Sequence, residues 1–483
     1  MIFSSIEYIL FFFVTIIVYY LLPSAFKWIW LLLASIFFYG YTRPAYVLVP
    51  IIITIITYFG GLQIEKATDE KKGQRVFILS TILIVAILVF FKYVNFFTAT
   101  ATDIINFITQ KISYNNTPIK DRLIIDIAAP LGISYITFQA IGYMIEIKRG
   151  NHPAEKHFGY LLTYIFFFTK TVAGPVERAH HFLPQLKIKQ QFSYQNLTSG
   201  LQLALIGLFK KLVVADRLSI YINAVYGNID NHSGITLLTA AVFYVFQMYA
   251  DFSGYTDMAL GFSKMLGFDL IPNFNRPFFA KSVSEFWRRW HISLSTWFAD
   301  YFYNPIAIAK RDWGNWAVVY ASFVTFITLG FWHGANWTFI VFGALQGLIL
   351  TIEFFTRKQR KNLRKQIPVW LNDSVGIILT VGYFGFSLIF FRADTVQQAL
   401  TIIKKILSFS GPFYGDNAST LMFMLLGVGY IVIYDAKKEL FDKKFSLSNN
   451  KYWIVRNGYY CLLILAILMT GVFDGGEFIY FQF

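Results

Sequence analysis

Long apolar runs, separated by short polar segments, dominate the pattern along this chain. A helix needs about 20 mostly apolar residues to cross the hydrocarbon core of a bilayer, and many runs approach that length. Some are too short to cross alone, so we expect about eleven transmembrane helices, with re-entrant or interfacial helices around a central passage. The predicted apolar windows are 8–22, 28–39, 45–62, 76–91, 124–145, 160–172, 201–214, 237–258, 317–331, 337–352, 375–390, 421–434 and 459–472.

The composition supports an all-α polytopic membrane protein. Only 14% of the residues are charged and 56% are apolar, whereas soluble domains carry about 25% charged residues. No segment is polar and long enough for a soluble domain, so residues 1–483 are predicted to form one integral-membrane domain. The first apolar run, 8–22, lacks the preceding basic residues and cleavage site of a signal peptide and is interpreted as the first span.

The net charge of +15 follows the pattern of membrane proteins, whose cytoplasmic loops are rich in Lys and Arg. We therefore predict no nucleic-acid partner and place the basic segments 66–75, 357–365 and 437–444 in the cytoplasm. The tail 474–483 and the loop 393–420 are predicted to lie outside. The single cysteine, Cys461, excludes an internal disulfide and a cysteine-rich metal site.

His333 is the most unusual residue of the pattern, because an ionisable side chain at membrane depth is costly and usually functional. Gly330 and Gly334 flank it at helical spacing, which allows another backbone to approach closely. Asn336 lies within one helical turn. Two interpretations follow: a general base in a narrow passage, or a hydrogen-bonding group at a helix interface.

A second histidine, His291, lies in a segment with the features of an amphipathic helix. The sequence of residues 282–285 predicts a capping box, and the helix is expected to continue to about residue 302. Trp287, His291 and Ser295 then share one stripe, next to Arg288. The helix is expected to be interfacial or re-entrant, with His291 either functional or simply a satisfied polar residue.

Two further segments concentrate polar groups. Residues 247–257 crowd amides, hydroxyls and carboxylates, among them Asp251 and Ser253, at the end of an apolar helix. They either line a passage or form a structural network that holds broken helices. No other segment of the sequence offers the further ligands of a metal site, so no metal site is predicted. Residues 169–178 break a helix at Gly-Pro and end at Arg178, which contacts an anionic ligand or belongs to an ordinary surface loop.

Taken together, these segments resemble the membrane-bound O-acyltransferase family, most strongly its bacterial branch typified by the alginate O-acetyltransferase membrane subunit. The residues that carry the resemblance are Ala173-Gly174-Pro175 with Arg178, 251–257 (DFSGYTD), 273–278 (NFNRPF), 286–294 (FWRRWHISL), 331–334 (FWHG), 390–393 (FFRA) and 478–483 (FIYFQF). The resemblance extends over essentially the whole chain.

The resemblance implies acyl transfer in the bacterial cytoplasmic membrane, with His333 at the active-site position and His291 at the second polar position. That second position is often asparagine in eukaryotic relatives that modify lipids or proteins, which favours O-acetylation of a cell-envelope polymer here. It further implies a thioester donor, which we expect to be acetyl-CoA, no bound cofactor, and a separate extracytoplasmic partner with a serine-hydrolase-like fold. Arg288, with Arg289, is then a candidate contact for the CoA phosphates.

Three alternatives remain open at the level of sequence. One is D-alanyl transfer to teichoic acid from a carrier-protein thioester. Another is a transporter or flippase of envelope precursors, which the absence of a recognisable internal repeat weakens. The third is a membrane scaffold for a polymer synthase, which would have no use for two histidines in apolar surroundings.

Overall fold

The computed structural model of the chain describes residues 1–112, 129–171, 174–415, 417–441 and 452–473. All regular elements in these ranges are helical. The α-helices are α1 (Ile6–Leu21), α2 (Ser24–Gly40), α3 (Leu48–Lys66), α4 (Glu70–Lys92), α5 (Val94–Ile112), α6 (Ile133–Lys148), α7 (Phe158–Phe166), α8 (Ala179–Lys187), α9 (Tyr194–Phe209), α10 (Asp216–Tyr226), α11 (Gly234–Met265), α12 (Val283–Arg289), α13 (Ile292–Phe298), α14 (Asn304–Ala309), α15 (Asn315–His333), α16 (Trp337–Phe355), α17 (Arg357–Leu363), α18 (Val369–Arg392), α19 (Val396–Ser408), α20 (Ala418–Leu440) and α21 (Trp453–Thr470).

Nine helical segments within the described ranges are long and apolar enough to cross a membrane. They are Pro44–Lys66, Glu70–Lys92, Tyr194–Tyr226, Gly234–Met265, Asn315–His333, Trp337–Phe355, Val369–Arg392, Ala418–Leu440 and Trp453–Thr470. Two shorter apolar helices, Ile6–Leu21 and Ser24–Gly40, accompany them. The prediction of an all-α polytopic membrane protein is confirmed. The predicted tail 474–483 and its terminal motif 478–483 lie outside the described residues.

Two predicted windows have different boundaries in the structure, and one helix was not predicted. The window 160–172 is not one long helix, because α7 ends at Phe166 and the backbone of Phe167 turns to φ −43°, ψ 108°. The window 124–145 corresponds to α6, which begins only at Ile133; residues 124–128 lie outside the described part. Helix α5 was not predicted, because polar residues interrupt its apolar run.

The described residues separate into two compact units. One contains residues 1–27, 174–177 and 188–473 of the described ranges, and the other contains 28–171 and 178–187. In the first unit, α9 and α11 approach so closely that a Cβ on Gly207 would lie 2.4 Å from the Gly254 carbonyl oxygen. Small residues at such crossings allow the backbones to touch, which is how helices pack without a hydrophobic driving force in lipid.

Candidate active site

The single helix predicted over residues 282–302 is wrong, since the chain breaks at Trp290 and His291. Trp290 is extended, and His291 adopts the left-handed conformation with φ 44° and ψ 53°. Few residues other than glycine adopt positive φ, and such an outlier persists only where surrounding contacts hold it. The predicted cap at the start of α12 is confirmed, because the Ser282 hydroxyl accepts from the Glu285 amide at 3.1 Å.

Asn273 holds the break in place. Its main-chain carbonyl accepts from the Ile292 amide at 2.9 Å, and its side-chain oxygen accepts from the Ser293 hydroxyl at 2.5 Å. The same Ser293 hydroxyl accepts from the Val176 amide at 2.9 Å. These bonds replace the helical hydrogen bonds lost at His291, so the turn is satisfied although it is left-handed. Asn273 belongs to the motif 273–278, but its local sequence predicts no role for it.

The His291 imidazole is buried against aromatic rings. Only 1% of His291 is exposed, and its ring makes an edge contact with Phe252 of α11 at 4.6 Å between centroids. Burial lowers the pKa of His291 from 6.5 to about 3, because a charged imidazole loses its hydration there. The residue is therefore a neutral hydrogen-bonding group at physiological pH, with one ring N–H donor and one acceptor nitrogen.

A pH experiment follows from this neutral state. Since folding lowers the pKa of His291, the histidine contributes its full stability above pH 6.5 and loses it as the pH falls toward 3. Between those limits the free energy of unfolding should fall by about 1.4 kcal/mol per pH unit through this group alone. Thermal unfolding of wild type and His291→Asn from pH 8 to 4 measures it. Parallel curves for the two proteins below pH 6 would contradict the expectation.

His333 is the last residue of α15 and is 5% exposed. The close approach predicted from Gly330 and Gly334 is confirmed, because a Cβ on Gly330 would lie 2.1 Å from the Phe339 carbonyl oxygen. A Cβ on Gly334 would lie 2.0 Å from the ring of Phe339. Helix α16 therefore packs tightly against the end of α15 and fixes the backbone position from which the His333 imidazole projects.

Trp332 brings the two histidines into one site. Its ring centroid lies 4.8 Å from that of His333 and 6.4 Å from that of His291. The two imidazoles are therefore separated by no more than the sum of these distances. Phe391, near the end of α18, contacts His333 from another helix at 5.2 Å. The site thus combines α11, α15, α18 and the turn between α12 and α13.

Asn336 fixes the loop that follows His333. Its side-chain oxygen accepts from the Thr338 amide at 3.1 Å, which caps α16, and its side-chain nitrogen donates to the Asp394 carbonyl at 2.8 Å. The amide is thus occupied at both ends. Its position three residues after His333 supports a role in shaping the site, with direct substrate contact left as a hypothesis.

Three of the predicted binding residues line a single cavity. Trp287, Arg288 and Ser295 face a cavity of about 450 Å³ whose lining is largely apolar. Its other lining residues are Ser284, Ile292, Thr296, Phe298, Ala299, Tyr303, Thr325, Phe326, Leu329 and Leu350. The volume lies within the roughly 300–1,000 Å³ of small-molecule sites. Trp287 is held by its indole N–H, which donates to Gln346 at 3.3 Å.

The two arginines of α12 are not equivalent. Arg289 makes ion pairs with Glu285 at 2.7 Å and Glu439 at 3.1 Å, so its charge is locally compensated. Arg288 is exposed and lines the cavity. The structure therefore leaves Arg288 as the stronger candidate for an anionic ligand of the two.

Asp251 belongs to a buried network of charges. Its carboxylate lies 2.7 Å from the Lys211 ammonium, which also pairs with Asp216 at 2.8 Å. Lys211 is on the π-helical segment Lys210–Ala215, and neighbouring Lys210 pairs with Asp257 at 2.7 Å. These contacts support the network interpretation of residues 247–257. The two adjacent lysines inside an apolar window could have indicated it, because membrane-buried charges seek partners.

The two remaining predicted residues lie apart from these contacts. Ser253 of α11 is 2% exposed, and its hydroxyl has no hydrogen-bond partner within the described ranges. Arg178 belongs to the other compact unit, where its carbonyl accepts from the amides of His181 and Phe182 at the start of α8. Its role as a ligand contact remains a prediction.

Comparison with known proteins identifies the family of the chain. The model of MBOAT, the membrane-bound O-acyltransferase family, matches residues 151–391, which include both histidines. The chain is 31% identical to the probable alginate O-acetylase AlgI of Azotobacter vinelandii, over 86% of this chain and 80% of the relative. It is 31% identical to the peptidoglycan O-acetyltransferase of Helicobacter pylori, over 79% and 74%, and 28% identical to the teichoic acid D-alanyltransferase of Bacillus subtilis, over 53% and 67%. The chain therefore belongs to the membrane-bound O-acyltransferase family and is an acyltransferase of the membrane.

Proposed function

We propose that this protein transfers an acetyl group from a cytoplasmic thioester to an extracytoplasmic acceptor, for O-acetylation of an envelope polysaccharide or exopolysaccharide such as alginate. The observation that carries the proposal is the packing of two buried histidines, His291 and His333, around Trp332. Residues 1–483 act as a single O-acyltransferase domain of the bacterial cytoplasmic membrane. The names of the relatives support the acetyl group and the carbohydrate acceptor.

The reaction needs one base and one group that stabilises negative charge. His333 removes the proton from an acceptor hydroxyl, whose oxygen attacks the thioester carbonyl. The C–O bond forms, the C–S bond breaks, and the proton passes from His333 to the leaving thiolate. His291 is suited to the second role, because a neutral imidazole donates one hydrogen bond to the carbonyl oxygen as negative charge develops. In a two-step alternative, the His333 imidazole attacks the thioester carbonyl and the thiolate leaves; the acceptor hydroxyl then takes the acetyl group from the imidazole, and its proton passes to the thiolate.

The orientation of helix α16 indicates which end of the site faces the cytoplasm. It begins beside Asn336 and ends beside α17, which is rich in Lys and Arg. Basic segments face the cytoplasm, so the end with Asn336 and His333 points outward. Leu350, which lines the cavity, lies fourteen residues along α16 from Asn336, or ~21 Å at 1.5 Å per residue. This arrangement supports entry of the donor from the cytoplasm through the cavity and exit of the acetyl group at His333.

The proposed transfer requires a second protein on the outer face of the membrane. A partner on the outer face with a serine-hydrolase-like fold would accept the acetyl group on its hydroxyl and pass it to the polymer. The extracytoplasmic position proposed for His333 and Asn336 supports such an exchange.

Transfer of D-alanine from a carrier protein is a second candidate. The relatives from Bacillus subtilis and Streptococcus thermophilus carry the name teichoic acid D-alanyltransferase, although they match only 53% and 49% of this chain. In that case the donor thioester would be presented by a protein and Arg288 would face an acidic protein surface.

Reconstitution in lipid vesicles separates these possibilities. With labelled acetyl-CoA outside inverted vesicles, we expect acetyl ester to form on an acceptor hydroxyl at the opposite face. Arg288→Glu should raise the KM for acetyl-CoA about tenfold with little change in kcat, because the contact is with the phosphates and not the reacting carbon. Lys281→Glu, at an exposed ion pair with Asp373, is a matched control. Ester formation only from a D-alanyl carrier, or flux without any ester, would overturn the proposal.

A further inference from the structure

A second cavity lies at the opposite end of α11 from the cytoplasmic loops, away from the histidine site. It has a volume of about 550 Å³ and is lined by Asn231, His232, Ser233, Gly234, Thr236, Lys405, Ser408, Ser410, Gly411, Pro412, Phe413 and Tyr414. We call it the outer cup. Hydroxyl, amide, imidazole and aromatic groups line it, in contrast to the apolar cavity at Trp287. We propose that the outer cup is a binding site for a carbohydrate chain, the polymer that finally receives the acetyl group.

The walls of the outer cup are preformed. The Lys405 ammonium donates to the carbonyls of Ile229 and Asp230 at 2.8 Å and of His232 at 3.3 Å. On the other wall, the Tyr414 amide donates to the Thr236 hydroxyl at 2.9 Å. Binding to such a rigid site loses little conformational entropy, which matters for a weakly binding ligand.

These hydrogen bonds determine which side chains of the outer cup can still contact a ligand. All three N–H donors of Lys405 are used, so the lysine is a clamp rather than a ligand for phosphate. Three lining groups remain at least partly exposed: the amide of Asn231, the ring of His232 and the ring of Tyr414, which is 39% exposed although it also packs against the rings of His232 and Tyr221. Aromatic faces pack on the CH faces of sugar rings, and amides and imidazoles bond to their hydroxyls. The cup therefore fits a polyhydroxylated ring better than a phosphate group or an acyl chain.

The position of the outer cup suits an acceptor. Asn336, beside His333, donates to the carbonyl of Asp394, and α19 starts two residues later. Helix α19 then runs to Ser408 at the cup, a length of ~20 Å for its thirteen residues. A polymer of several sugar units spans that distance. The identification of the ligand as the acceptor rests on the proposed function, whereas the carbohydrate chemistry rests on the cup alone.

Direct binding tests the inference without any transfer assay. Protein in lipid nanodiscs is titrated with an alginate hexasaccharide, an N-acetylglucosamine hexasaccharide and maltohexaose, with binding followed by saturation-transfer NMR. At least one should bind. Tyr414→Ala should weaken that binding about tenfold through loss of the stacking face, Asn231→Ala several-fold, and Tyr414→Phe less than twofold, because Phe keeps the face. Tyr452→Ala, an exposed tyrosine outside the cup, is the control.

The outcomes separate the two proposals. Binding that His333→Ala leaves unchanged, and that Tyr414→Ala weakens, supports the outer cup even if acetyl transfer fails. No binding of any of the three saccharides, or equal binding by Tyr414→Ala and wild type, overturns it. Failure of Tyr414→Phe to bind would also overturn it, since the phenol oxygen would then be the recognised group. Acetyl transfer by the wild type without any saccharide binding would agree with the proposed function but contradict a carbohydrate site in the outer cup.

Discussion

Replacement of His333 with alanine should reduce acetyl transfer by at least about a hundredfold and leave the protein folded in the membrane. Positioned acid–base groups contribute about 10²–10⁴-fold, and the proposed mechanism gives this residue the only proton transfer from the acceptor. The measurement is ester formation from labelled acetyl-CoA in vesicles, with O-acetyl content of envelope polysaccharide in cells as a second readout.

A glutamine at the same position separates catalysis from packing. His333→Gln keeps hydrogen-bonding capacity and much of the volume but cannot take up a proton near neutral pH. If His333 only joins helices at the interface with α16, glutamine should restore transfer. We expect it to remain inactive, with thermal stability closer to wild type than that of His333→Ala. His152→Ala, which alters a histidine bonded to its neighbouring Pro153 carbonyl, serves as the control.

Replacement of His291 should give the second largest effect, and its size should depend on both backbone and side chain. His291→Gly keeps the left-handed turn but removes the imidazole, so we expect normal folding and a loss of transfer of about 10²-fold or more. His291→Asn should retain part of the activity, because asparagine tolerates positive φ and offers an N–H donor.

A valine at position 291 would test the turn itself. A β-branched residue at φ 44° is strained, at a cost of about 1–2 kcal/mol, so His291→Val should also lower the thermal unfolding midpoint. The measurement compares kcat with the unfolding midpoint across Gly, Asn and Val. Full activity in His291→Gly would show that the imidazole has no part in the reaction.

The sequence indicated the importance of both histidines, but for different reasons. His333 could be identified from the pattern alone, because a titratable group between apolar runs is costly at membrane depth and Gly330 signals close packing. His291 gained its importance mainly from the resemblance to a family. Residue periodicity placed it inside a continuous helix, and the structure shows a left-handed turn instead.

The helix at residues 282–302 was misplaced for a physical reason. Local propensity favours a helix there, and the capping box at Ser282 does start one. The helix ends because Asn273, which lies nineteen residues before Ile292 and twenty before Ser293, accepts hydrogen bonds from both residues that compete with the helical ones. Such a competition depends on a contact distant in sequence, so no window of local pattern contains it.

The sequence by itself determined the class of the protein: apolar runs of membrane-spanning length require helices, because backbone groups in lipid must be bonded within their own segment. It also determined that two histidines stand in apolar surroundings. Only the tertiary structure decided that Trp332 joins them, that Lys211 neutralises Asp251, and that Arg288 rather than Arg289 faces the cavity. These choices follow from which side chains of separate helices meet, and pairwise contacts between distant residues are set by packing, not by local propensity.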